Sequence, residues 1–297
     1  MAGDGKTRRP YVTLLIGVIA VSFAAIFIRL AEAPPLVIAA YRLSIASLIL
    51  IPIAAARSAF NLRALPPRSW LLITLSSVLV ATHFGLWITS LSYTSIASSV
   101  ILVTSHPIFV AVISYFLWQE KLDRVMMAGI AVAMLGIFGL NYGGYTFSAA
   151  SFRGDLLALM AALAMGGYLI IGRQLKTRIA VLPYLTLVYS GAAVLLLLTI
   201  LLAGYSLTGY SMKTYSMMIL LAVVPQLIGH SSLNMALRWL PVTLVSIAIL
   251  GEPVGASLLG YLVMDEIPTG SEIISGLLIL AGIFIVVRRN PWQWAAK

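Results

Sequence analysis

One carboxylate, three imidazoles and one guanidinium lie deep in long apolar runs of this chain: Glu252, His83, His106, His230 and Arg42. Glu252 follows Pro241 by eleven residues, ~16 Å of helix, which puts its carboxylate near the middle of a bilayer. A charge at that depth costs several kcal/mol, on the order of 3, unless it faces water, finds a partner or takes up a proton. His106 precedes Pro107 as Glu252 precedes Pro253, at a separation of 146 positions. A proline inside a helix removes one N–H and frees a carbonyl one turn back. The spacing therefore predicts two kinked helices, each with an ionisable side chain beside its kink, and makes Pro107 and Pro253 hinge points. Such a place is a binding site or a hinge, and protonation there would couple it to pH. The plainer alternative is a neutral, packed His106 and a Glu252 that only links helices.

Two polar stripes accompany them. His83, Trp87 and Ser90 share a helical face, with Thr94 continuing it, and Gln226, His230 and Asn234 recur every fourth residue in another apolar run. A polar stripe on a membrane helix faces protein or water, so it either lines a cavity or bonds neighbouring helices. Trp87 offers a wall for a ligand ammonium, or simple packing. Arg42 suits a carboxylate as a bidentate fork, yet lies near enough to one end of its helix to snorkel to the interface. Its neighbour Tyr41, and Tyr189, are weaker substrate-binding candidates. His83 and His230 are 147 positions apart, one off the separation seen elsewhere.

The elements that must position these side chains are membrane helices. The chain is 61% hydrophobic and 9% charged, with a mean hydropathy of +1.03, outside the range of soluble domains. It has no cysteine, so thiolate chemistry and disulfides are excluded. Ten runs are long enough to cross ~30 Å of hydrocarbon: roughly 11–29, 35–56, 69–92, 95–118, 123–141, 153–174, 182–203, 213–238, 242–264 and 271–289. Only helices satisfy their backbone within such runs. The 146-residue separation joins Pro107 to Pro253, Tyr115 to Tyr261, Glu120 to Glu266 and Gly136 to Gly282, so residues 1–148 and 149–297 are two copies of a five-helix unit. With the N-terminus inside, 15 Lys and Arg fall in inside segments and 3 outside, a positive-inside bias that places both termini in the cytoplasm. The formal charge of +10 is thus topological and implies no nucleic-acid partner. Five is odd, so the copies enter the membrane in opposite senses: an all-α integral membrane protein of ten transmembrane helices in two inverted repeats. The basic N-terminus could also begin a signal peptide, but the apolar run continues through Phe27 without a polar cleavage region. Glu120 and Glu266 sit at helix ends, as caps or partners of Lys121 and Arg124.

The paired Pro-to-Glu spacing, the ten-helix length, the arginine in the second helix and Gly154-Asp155-Leu156-Leu157 opening the second half resemble the drug/metabolite transporter superfamily. The branch is the one with duplicated EamA domains, and the chain is most similar to the YddG-like amino-acid exporters. The resemblance implies alternating access about a central cavity between the halves and efflux of small metabolites across a bacterial inner membrane, with no cofactor.

Other classes have less behind them. No His-Glu-x-x-His or Gly-x-Ser-x-Gly signature supports an intramembrane enzyme, and four dispersed ionisable residues make no metal site. A Walker motif and a soluble domain, which an ATP-driven pump needs, are both missing from these residues. Nothing resembles a channel filter. A carboxylate, imidazoles and aromatic walls suit an ammonium-bearing small molecule. An amino acid is expected, with Glu252 on its amine and Arg42 or Asn234 on its carboxylate; a lipophilic cation held by Glu252 alone is the alternative. The other partner expected is the lipid bilayer, with a monomer plausible.

Overall fold

The apolar runs become helices, as a chain without water for its backbone groups requires. The structure is a computed structural model that describes residues 4–57, 65–94, 99, 102–119, 124–139, 148–265 and 270–288, among which there is no strand. Glu120, Lys121 and Glu266 lie outside the described residues.

Seven helices are long and apolar enough to cross a membrane, and three shorter apolar ones complete the series. In chain order they are α1 (Arg9–Leu30), α2 (Pro35–Ala56), α3 (Pro67–Ser90), α4 (His106–Trp118), α5 (Arg124–Gly139), α6 (Ala149–Leu175), α7 (Val181–Leu202), α8 (Met212–Ala236), α9 (Val242–Val263) and α10 (Gly270–Arg288). Their starts follow local chemistry. Pro35 and Pro67 occupy the first turns of α2 and α3, where a missing N–H is harmless. Ser148 and Ser151 form a reciprocal capping box on α6, and Ser211 accepts from the Thr214 amide ahead of α8.

The packing has the pattern a two-fold axis demands of two inverted repeats. The α3–α6 contact is answered by α8 on α1, α4 on α6 by α9 on α1, and α3 on α7 by α8 on α2. The α2–α7 and α5–α10 pairs join counterparts across the axis. One large hydrophobic core runs through α1 to α4 and α6 to α9; a smaller one ties α5 and α10 to α9.

The α5–α10 pair rests on glycine. A Cβ on Gly129 would come within 2.9 Å of the Gly282 carbonyl, and one on Gly282 within 2.6 Å of the Ala133 amide. Gly136 is as tight against Ser275 and Ile279, whereas Gly276 faces Val254 of α9 at ordinary distance. Small residues let backbones approach where lipid gives no hydrophobic drive.

Candidate functional site

The proline kinks are breaks. In α9, residues 249–250 leave the helix between Val242–Ala248 and Gly251–Met264. In the fourth span, helical residues 102–103 are followed by a turn at 104–105 before His106 opens α4. Both breaks are closed by tight i→i−3 bonds: Ser105 N–H donates to the Leu102 carbonyl at 3.2 Å, and Leu250 N–H to that of Ile247 at 3.0 Å. His106 and Glu252 each occupy the first turn of the helix that follows. For Glu252 the half-helix N-terminus favours the carboxylate, by about 0.3–1 kcal/mol at an exposed end. α1 is also broken, at Phe23, and Gly255, one turn past Glu252, packs on Ser22 there.

Arg42 does not snorkel. It is 0% exposed, its Nε donates to Gln226 Oε1 at 2.7 Å, and its guanidinium lies 4.1 Å over the Phe84 ring. Its length reaches inward because α2 packs on α8, which supplies Gln226. Among the described residues, both terminal nitrogens, Nη1 and Nη2, have no hydrogen-bond partner. Arg42 and half-buried Glu252 lie within electrostatic range but form no direct ion pair.

The three histidines converge. His83, His106 and His230 are all buried and lie within electrostatic range of one another, with Arg42 beside His83 and His230. His83 Nδ1 is 3.0 Å from the Ala161 carbonyl; a carbonyl only accepts, so Nδ1 carries the proton and, in the neutral ring, Nε2 is the acceptor. Its ring stacks on Trp87 at 6.0 Å, and Phe84 meets His230 edge-on at 5.3 Å. Among the described residues no three His, Asp or Glu side chains are grouped to hold a metal.

A small cavity lies between these elements, lined by Val80, His83, Phe84, Met165, Tyr168, Tyr189, Gln226 and His230. Of eleven buried side-chain polar atoms without a partner among the described residues, six belong to its lining or to nearby side chains: Arg42 Nη1 and Nη2, Trp87 Nε1, His106 Nδ1, Tyr189 Oη and Gln226 Nε2. Each orphan costs about 1–3 kcal/mol, and buried polar atoms in native structures are nearly always paired. Their concentration in one place, with donors predominating, is what a site for a polar ligand looks like.

A second cavity lies toward the turns after α6 and α8, lined by residues including Lys176, Tyr184, Asn234 and Arg238. Tyr168 of the first cavity stacks on Tyr184 of the second at 6.4 Å. Asn234 Nδ2 donates to Tyr168 Oη at 2.6 Å, and the Tyr184 hydroxyl bonds Ser76 at 2.7 Å. Asn234 thus belongs to this partition between the cavities.

Part of α8, Ala222–His230, is a π-helix with Pro225 inside it. π segments occur frequently at functional sites, and a π turn holds about one residue more than an α turn. That accounts for the one-position slip between His83 and His230. Tyr41 stands apart: its hydroxyl donates to the carbonyl of Leu207 in the loop after α7 at 2.6 Å, and its ring sits beside Tyr215 in the first turn of α8. Phe84 and Tyr168 were not among the sequence candidates. Tyr168 had one signal, a bulky phenol directly after the small residues Gly166-Gly167.

The profile of the EamA-like transporter family matches residues 8–142 and 152–288. An uncharacterized transporter, YdfC, of Bacillus subtilis (strain 168) is 22% identical over 183 residues, 62% of this chain and 60% of that relative. The chain therefore aligns with less than two thirds of that relative's length. A protein crystal structure superposes with a TM-score of 0.81 at 18% identity, covering 94% of this chain and 96% of the other; it supports the fold alone.

Proposed function

The chain belongs to the EamA-like transporter family, and on that premise we propose that it exports amino acids across a bacterial inner membrane by alternating access about the central cavity. The two halves, residues 1–148 and 149–297, rock about the site with both termini cytoplasmic, and the breaks before Pro107 and Pro253 act as hinges. One observation carries the reading: ionisable Glu252 and His106 sit in the first turns of the half-helices that follow two matched breaks, in the fields of Arg42 and His83, which adjoin or line a cavity bordered by unpaired polar atoms. Broken helices whose ends face a midplane site are the usual device of secondary transporters. Glu252 takes the substrate amine, His83, His106 and His230 supply polar contacts, and Trp87 walls the side chain. Gln226 and Asn234 line the path. The resemblance to YddG-like exporters supports the amino-acid class.

Counterflow of a labelled amino-acid panel into proteoliposomes, without an ion gradient, tests this. Saturable uptake of several amino acids is expected. Uptake of lipophilic cations with none of any amino acid would replace the reading with cation export, which the aromatic lining of Phe84, Tyr168 and Tyr189 favours as the second choice.

A further inference from the structure

Arg42 is the residue whose surroundings explain it least. Its guanidinium is fully enclosed, yet among the described residues only Nε is bonded, and Nη1 and Nη2 meet no acceptor. The two side chains that hold it, Gln226 by the hydrogen bond and Phe84 by its ring face, both line the central cavity. Among the described residues, Gln226 spends its oxygen on Arg42 and leaves Nε2 without a partner, and the hydroxyl of fully buried Tyr189, beside Ser231, Tyr168, Gln226 and Arg42, makes no well-formed hydrogen bond with any of them. The unmet groups at this end of the cavity are N–H and O–H donors.

We propose that Arg42, Gln226 and Tyr189 form a carboxylate seat, so that this transporter recognises its substrate by a carboxylate as well as by an amine. The proposal rests on the exporter reading above and chooses Arg42 as the carboxylate partner. Nε bonding to Gln226 fixes the guanidinium plane and leaves the Nη1–Nη2 edge, which suits the two oxygens of a carboxylate. Tyr189 and Gln226 Nε2 supply further donors. Charge balance narrows the ligand. Arg42 and Glu252 form no ion pair although each lies in the other's field. A zwitterion places an anion on one and a cation on the other and leaves no net charge in the membrane. A dianion such as phosphate leaves Glu252 opposed, and a lone amine leaves Arg42 unanswered.

The test uses the purified full chain in detergent with three probes of one shape: L-phenylalanine, 3-phenylpropanoate, which has only the carboxylate, and phenethylamine, which has only the amine. Ligand-induced thermal shift and displacement are read for wild type, Arg42→Gln, Arg42→Lys, Gln226→Glu and Tyr189→Phe. Both carboxylate probes are expected to stabilise the wild type. Gln226→Glu, which turns a carboxylate toward the seat, should weaken both more than tenfold without weakening phenethylamine. Tyr189→Phe should weaken them about threefold, and Arg42→Lys should restore part of what Arg42→Gln removes. Should Arg42→Gln fail to fold, the Gln226 and Tyr189 variants decide. A carboxylate response untouched by these variants overturns the seat, as does a response to phenethylamine alone or no response to either carboxylate. Binding of 3-phenylpropanoate without amino-acid counterflow would keep the seat and discard amino-acid export.

Discussion

The two halves share a scaffold and divide the chemistry. Each breaks a helix before a proline, yet the first half sets His106 at its break and the second sets Glu252. The first half carries Arg42 in α2, whose counterpart 146 positions on is Val188, a fully buried apolar residue of α7. α3 runs as a continuous α-helix, while α8 holds a π segment around Pro225. α1 is broken at Phe23 while α6 is a single helix of 27 residues. On the exporter reading, the shared features are the broken helices that serve as hinges, and the unshared ones are the charged side chains offered to the cargo. A symmetric site would then present two like charges to one ligand, whereas Arg42 and Glu252 are one of each sign.

The sharpest way to break that comparison is to neutralise one side of it. Glu252→Gln keeps shape and removes the charge, and is expected to lower amino-acid counterflow about a hundredfold. Losing a buried charged contact costs about 2–5 kcal/mol, and 1.4 kcal/mol is tenfold. His106→Gln, at the matching break, should cost less than tenfold. Equal losses would mean that the breaks matter and the charge does not.

The α5–α10 pair is where the halves should still behave alike. Gly136→Leu and Gly282→Leu, 146 positions apart, each force a side chain into a neighbouring backbone. Overpacking of this kind costs about 1–3 kcal/mol, so both variants should lose detergent stability by similar amounts in a thermal unfolding assay. If only one of them is sensitive, the pair is not two-fold related in its packing energy.

Much of this was legible in the sequence, because hydropathy and proline act locally. The ten apolar runs, which become seven helices long enough to cross a membrane and three shorter ones, and the kinks beside Pro107 and Pro253 needed only spacing. Spacing also marked His83 and His230 as near-mates. Arg42 was not legible in the same way: its distance from a helix end permits snorkelling, and what buries it is Gln226 and Phe84, far away in the chain. Tyr41 failed to join the site for the same kind of reason, since its partner is the carbonyl of Leu207, 166 positions on. The π segment was visible only as the unexplained slip between His83 and His230, as a single proline does not state which bonds will be re-formed around it.

That π segment gives the smallest effect and the finest test. α3 has no proline after its first turn, so Pro225→Ala makes α8 more like its counterpart by restoring a backbone donor. The expected result is a chain at least as stable as wild type, with a regular α turn in place of the wider one. Gln226 would then rotate relative to His230, and its bond to Arg42 would lengthen or break. Amino-acid counterflow should fall about threefold, through weaker substrate affinity and with maximal rate nearly unchanged, the size of one strained hydrogen bond of about 0.5–1.5 kcal/mol. The affinity-against-rate split is the deciding quantity. A fall in maximal rate alone would place Pro225 with the hinges, on the half-shared scaffold, and remove it from the chemistry that distinguishes the second half from the first.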